Sequence, residues 1–170
     1  MLSIRQEAAG DFAAIREVNE QAFGRAEEAD IVDKLRDSGS SVLSLVATRD
    51  DGVAGHIQFS RVTIEHDGGV IERVGLAPMA VLPDYQSQGI GSALVEAGIK
   101  ALGYRSYPFM VVLGHPDYYP RFGFETASGH GIVSQWKDIP DDAFMLLILD
   151  EIVMKSVSGA AKYGDEFGQA

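Results

Sequence analysis

The sequence predicts an α/β layer built on a mixed sheet. Three observations lead there: β-rich segments crowd the chain before residue 82, one strong helix follows a glycine-bearing turn, and further strands come after it. Residues 2–6 read as a short opening strand. Asp11 stands where it can cap a helix on which Phe12, Ile15, Val18, Asn19 and Ala22 recur at helical spacing. A second helix over residues 26–37 carries Ile31, Val32 and Leu35 as an apolar stripe and stops at Ser38-Gly39-Ser40. Residues 42–48, the turn Asp50-Asp51-Gly52 and residues 53–64 form a β-hairpin. The turn His66-Asp67-Gly68-Gly69 then opens a third strand over residues 70–81.

Pro83-Asp84-Tyr85 breaks that strand, and a helix runs over residues 89–102. Ser92, Glu96 and Lys100 define its wet face; Ile90, Ala93, Leu94, Ala97 and Ala101 define its buried one. Residues 109–113 are fully apolar, as in a strand lying parallel within a sheet covered on both faces. A helical or turn segment is expected at 117–122 and strands at 132–135 and 144–149, with a weaker segment at 152–157.

The 170 residues fit a single domain, 1–170, with the stretch from about residue 159 read as a loose tail. With 46% apolar and 23% charged residues the composition is globular and argues against disorder. The absence of cysteine excludes disulfides, thiolate metal sites and a cysteine nucleophile. A net charge of −11 repels phosphate backbones, so nucleic acid is not an expected partner. That charge also attracts cations, although solubility alone accounts for it. The longest apolar run, residues 143–149, is far short of the ~20 residues of a membrane span. No signal peptide is read at the N-terminus, and the expected location is cytoplasmic, with no membrane partner. His56, His66, His115 and His130 show no paired spacing, so no metal is expected, and no Gly-x-Ser-x-Gly elbow supports a serine hydrolase.

The most informative stretch is Gln86-Ser87-Gln88-Gly89-Ile90-Gly91-Ser92, where a strand gives way to a helix. Glycine lets a ligand approach the main chain, and the first amides of a helix have no internal partner. With the helix dipole these make a socket for a pyrophosphate that needs no lysine. A Walker A ending is missing, and the third glycine of a dinucleotide fingerprint is absent. A glycine pair alone also fits a tight turn with no ligand.

The longer segment is more specific. Gln86-x-x-Gly89-x-Gly91, preceded by Met79-Ala80-Val81-Leu82-Pro83, resembles the coenzyme A motif of the GNAT N-acetyltransferases, and its surroundings resemble the YhbS-like branch of that superfamily. The resemblance implies the GNAT fold: a mixed, mostly antiparallel central sheet of about six to seven strands with helices on both faces. It implies acetyl-CoA as cosubstrate, a primary amine as acceptor, and no metal. Gln86, Gln88, Gly89, Ile90, Gly91 and Ser92 would hold the pyrophosphate. Met79, Ala80 and Val81 would pair with the pantetheine arm where their strand splays from its parallel neighbour. Pro78 suits such an opening, and suits a bulge as well.

In His115-Pro116-Asp117-Tyr118-Tyr119-Pro120-Arg121-Phe122-Gly123-Phe124 the residue matching the family's tyrosine is Tyr119. By resemblance it is the general acid that protonates the departing thiolate; the plainer reading is that it packs beneath the last strands. Many relatives carry an asparagine seven residues earlier, where this chain has Val112. Many also place a glutamate in the strand before the loop, and residues 74–81 hold no carboxylate. Glu28, Glu72, His115 and Asp117 stand as candidates for the base, and none is assigned. Residues 23–35 and 127–139 are expected to shape the acceptor pocket, and Trp136 either lines it or packs in the core. A binding module that senses acyl-CoA, or a transferase for a longer acyl group, shares the same motif. A monomer and a homodimer fit equally.

Overall fold

The computed structural model describes residues 1–50, 52–154 and 157–168. Two compact units emerge: Met1–Phe59 with Ala77–Ala101, and Ser60–Leu76 with Leu102–Ala170.

In the first unit, β1 (Ser3–Gln6) lies antiparallel to β2 (Ser41–Arg49), with Ser3 opposite Thr48 and Gln6 opposite Leu45. The connection holds α1 (Phe12–Phe23) and α2 (Glu27–Ser38). Their inward residues Ile15 and Val32 meet Val46 of β2 in a shared core. Two expectations for α1 change. Asp11 does not cap it; the carboxylate turns back to accept the Ala8 N–H at 2.7 Å and a two-pronged contact from Arg5. Phe12 is not core either: its ring lies at the surface beneath the Arg36 guanidinium, 3.8 Å from its centroid.

Beneath α1 and α2 runs a buried polar chain. Asn19 Nδ2 donates to the Ile15 carbonyl and lies 3.2 Å from His56 Nδ1, so Nδ1 is the acceptor. The ring proton therefore sits on Nε2, which donates to Ser44 Oγ at 2.8 Å. Ser44 Oγ donates a hydrogen bond to Glu7 Oε1, and Arg36 grips Glu7 with two nitrogens. Every link has one direction, and the chain requires a neutral His56. Burial agrees, pushing that imidazole down to about 4.

Strands β3 (Gly52–His66) and β4 (Gly69–Val81) each contribute one half to either unit, and α3 (Ile90–Tyr104) starts in the first. Along α3, Ile90 and Leu94 are buried and Glu96 and Lys100 face solvent, as read from their spacing; Ala93, Ala97, Ala101 and Ser92 are half-buried, and Val95, not read as inward, is buried.

In the second unit, β5 (Phe109–Leu113) lies parallel to β4, pairing Val74 with Met110 and Leu76 with Val112. Its other edge pairs antiparallel with β8 (Phe144–Ile148), which also carries the two-residue β6 (Glu125–Thr126). β7 (Ile132–Ser134) pairs in parallel with β9 (Gly159–Tyr163), and β9 lies antiparallel on β3. The stretch from residue 159 is thus a strand rather than a tail, and an ion pair from Lys162 to Glu65 ties it to β3. The weak segment at 152–157 overlaps a short helix, α4 (Glu151–Met154); Lys155 and Ser156 lie outside the described residues. Nine strands are present among the described residues, against six to seven expected: β7 falls on the strand read at 132–135, whereas β6 is too short to show a pattern and β9 lies in the stretch read as a tail.

Candidate functional site

One candidate group of residues lies wholly in the first unit. At the end of β4, Met79 is half-buried, Ala80 buried and Val81 half-buried. After Val81, Pro83–Tyr85 makes one tight turn, and the chain reaches α3 through Gln86, Ser87, Gln88 and Gly89, all but the half-buried Tyr85 lying open to solvent. Gln86 Nε2 donates to the Val81 carbonyl at 3.0 Å, and Gln88 Nε2 donates to that of Asp84 at 3.3 Å. These side chains bind the turn back onto its own strand. Ser87 and Gly89 both take left-handed conformations, with φ of 62° and 86°. Gly89 therefore answers a backbone demand, since L side chains resist that region. Its carbonyl accepts the Ala93 N–H at 3.0 Å, so α3 opens directly on this turn. Ile90 is buried and serves as the helix's anchor, while Gly91 and Ser92 are half-buried in its first turn.

One contributor escaped the sequence reading. Arg49, at the end of β2, donates to Gln88 Oε1 at 2.6 Å and lies 5.8 Å over the Tyr85 ring. A cation stands at the rim of this turn in an otherwise acidic chain. It is far off in sequence, so only the pairing of strands brings it there.

A separate candidate group lies in the second unit. The β4–β5 ladder ends at Leu76 opposite Val112, two residues short of Pro78. Proline has no N–H to give a ladder, and along the chain it falls where the pairing with β5 has already stopped. Past the end of β5, Tyr119 begins the single turn Tyr119–Phe122 and is 7% exposed. Its ring packs edge-on against Tyr118 and Phe124 and rests on Gly114, where an added Cβ would fall 2.3 Å from Cε2. Burial, and to a lesser degree Tyr118 beside it, raises the phenol well above its ordinary value.

With this geometry in view, comparison with known proteins is decisive. Residues 40–126 match the model of the Acetyltransferase (GNAT) domain. Over 167 residues the chain is 35% identical to the uncharacterized N-acetyltransferase YhbS of Escherichia coli (strain K12), covering 98% of each chain. The chain belongs to the GNAT acetyltransferase family. Among solved GNAT structures, YhbS from Escherichia coli in complex with CoA superposes with a TM-score of 0.92 at 35% identity, covering 99% of this chain and 92% of that one. A GNAT acetyltransferase from Brucella melitensis in complex with acetyl-CoA gives 0.81 at 34% identity, over 98% of both.

The four candidates for the base are either engaged by a neighbouring cation or exposed at the surface. Glu28 is bound by Arg25 through contacts of 2.5 and 2.9 Å, and that hydrogen bonding holds its carboxyl below the usual range. Glu72 is exposed and faces Arg61 at 3.4 Å. His115 and Asp117 lie toward solvent, and the His115 carbonyl accepts the N–H groups of Tyr118 and Tyr119. Trp136 packs beside Tyr163, with ring centroids 5.4 Å apart. A cavity of about 400 Å³ in the second unit takes Gly129 and His130 from the segment expected to shape the acceptor pocket, with Ile148, Glu151 and Met154. Among the described residues no group of three or more His, Asp or Glu is arranged to hold a metal ion, and no helix is long and apolar enough to cross a membrane.

Proposed function

We propose that the chain acts as one N-acetyltransferase domain that moves an acetyl group from acetyl-CoA to a primary amine by direct attack. The observation that carries this reading is the turn at Gln86–Ser92, with its left-handed Ser87 and Gly89 opening straight onto α3. Such a turn exposes the first amides of a helix to an anion. The solved relatives, one with CoA and one with acetyl-CoA, support the choice of ligand. In this reading Met79, Ala80 and Val81 pair with the pantetheine arm, and Gln86, Gln88, Gly89, Ile90, Gly91 and Ser92 hold the pyrophosphate. The setting is the cytoplasm.

The amine nitrogen attacks the thioester carbon; the C–N bond forms, the C–S bond breaks, and the nitrogen releases a proton to solvent or a base. Tyr119 gives the departing sulfur its proton and is recharged from solvent. Its raised pKa keeps the phenol protonated at neutral pH. A phenol that weakly acidic stabilises the thiolate first as a hydrogen-bond donor, and the proton follows as charge builds on sulfur. Placing the two reactants together supplies most of the acceleration, an effect that reaches about 7–11 kcal/mol.

Calorimetry with CoA and thiol release from acetyl-CoA across a panel of amines test this reading. The expected result is CoA binding together with amine-dependent release. Tyr119→Phe should lower kcat by about 10²-fold or more with little change in CoA affinity. Unchanged kcat would remove Tyr119 from the mechanism, and CoA binding without release would leave an acyl-CoA sensor.

A further inference from the structure

Tyr163 lies on β9, in the stretch expected from the sequence to be a tail, and its side chain is aimed at the place where β4 and β5 stop pairing. It is 5% exposed. Its hydroxyl lies 3.2 Å from the Leu76 carbonyl on β4 and 3.3 Å from the Val111 carbonyl on β5. One phenolic proton is thus shared between two parallel strands, across the last two rungs of their ladder, where Gly75 stands opposite Val111 and Leu76 opposite Val112. The ring reaches this position because β4 carries Gly75 beneath it; a Cβ there would come within 2.7 Å of the ring and 2.6 Å of Val62. Phe167 packs edge-on from one side at 4.9 Å, and Trp136 covers another. Gln135 accepts the Tyr163 N–H and fixes the backbone below. A polar group held this firmly over two backbone carbonyls is a built feature, since each carbonyl would otherwise be buried without that partner.

We propose that Tyr163 is a positioning residue for the coenzyme: by joining the carbonyls of Leu76 and Val111 it fixes where β4 leaves β5. The peptide groups that follow on β4 are then held ready for the pantetheine arm. The inference rests on the acetyl-CoA reading and adds to it a residue that touches no part of the ligand. Removing the hydroxyl while keeping the ring leaves two buried carbonyls without that donor, and the ladder's end loses its fixed place.

The test compares two ligands by calorimetry: CoA, and adenosine 3′,5′-bisphosphate, which lacks the pantetheine arm. In Tyr163→Phe, CoA affinity is expected to fall about tenfold, the scale of one buried hydrogen bond, while nucleotide affinity stays at the wild-type value. Gly75→Ala, which drives a methyl group against the same ring, should show the same selective loss. Equal weakening of both ligands in both variants would reveal general loosening and overturn the proposal, as would unchanged CoA affinity. If wild-type protein binds no CoA at all, the acetyl-CoA reading falls and takes this inference with it. If wild type binds and both variants bind equally well, only the inference fails.

Discussion

Tyr119 owes its position to the residue it leans on. Its ring edge occupies the space where a side chain at residue 114 would begin, so glycine there is a condition for the phenol's placement. The substitution Gly114→Ala isolates this effect without touching the phenol. The ring must move, and overpacking of this kind costs about 1–3 kcal/mol of stability. We expect a lower urea midpoint together with a fall in kcat toward that of Tyr119→Phe, with CoA affinity little changed. A lower midpoint with normal kcat would show that the ring's exact seat does not matter to turnover. Tyr119 was singled out by resemblance to the family's motif, and the edge-on packing of its ring is what the plainer reading expected. Its seat was not legible, because nothing in the local sequence says what a glycine five residues earlier leaves room for.

At the scale of elements, the turn before α3 gains its shape from backbone conformation. Gly89 has a φ of 86° and no atom within 4 Å of where a side-chain methyl would stand, so Gly89→Ala would suffer strain without any clash. Left-handed backbone costs an L residue about 1–2 kcal/mol. If the turn must keep this conformation to grip a diphosphate, affinity for CoA, which carries one, should fall by about 5- to 30-fold in calorimetry. Unchanged affinity would mean that the anion is held elsewhere. The turn was readable in advance because its residues are contiguous. So were α1 to α3 and β2 to β5, each long enough for its apolar period to declare itself. Legibility ended where an element draws its stability from a distant partner. β9 is a strand because β3 and β7 flank it, and its Gly-Ala-Ala opening has little strand preference of its own. Arg49 and Tyr163 escaped for the same reason: each acts on residues brought near only by strand pairing.

For the molecule as a whole, the buried chain from Arg36 to Asn19 makes stability depend on pH. His56 is held neutral in the fold, with a value near 4 against about 6.5 when unfolded. Above pH 6.5 both states are neutral and the group has no effect. Between 6.5 and 4 the unfolded chain binds a proton that the folded one refuses, so stability falls on acidification, by about 3 kcal/mol in all. Glu7 works in the same direction. Desolvation tends to raise its pKa, but hydrogen bonds from Arg36 and Ser44 outweigh that and lower it, so its contribution is present at neutral pH and lost as pH falls through the folded value. Asp11, lowered to about 2 by Arg5 and the Ala8 N–H, extends the loss to still lower pH. One effect opposes these: the net charge of −11 shrinks on acidification, which relieves self-repulsion. That repulsion acts between surface charges and is screened by salt, whereas the His56 effect is buried and is not. Urea unfolding at about 0.5 M salt, where the screening length is only a few ångströms, should therefore show a midpoint that drops between about pH 7 and 4.5. His56→Gln should flatten most of that drop. A slope of the same size in the variant would mean that the imidazole is not the group refusing the proton.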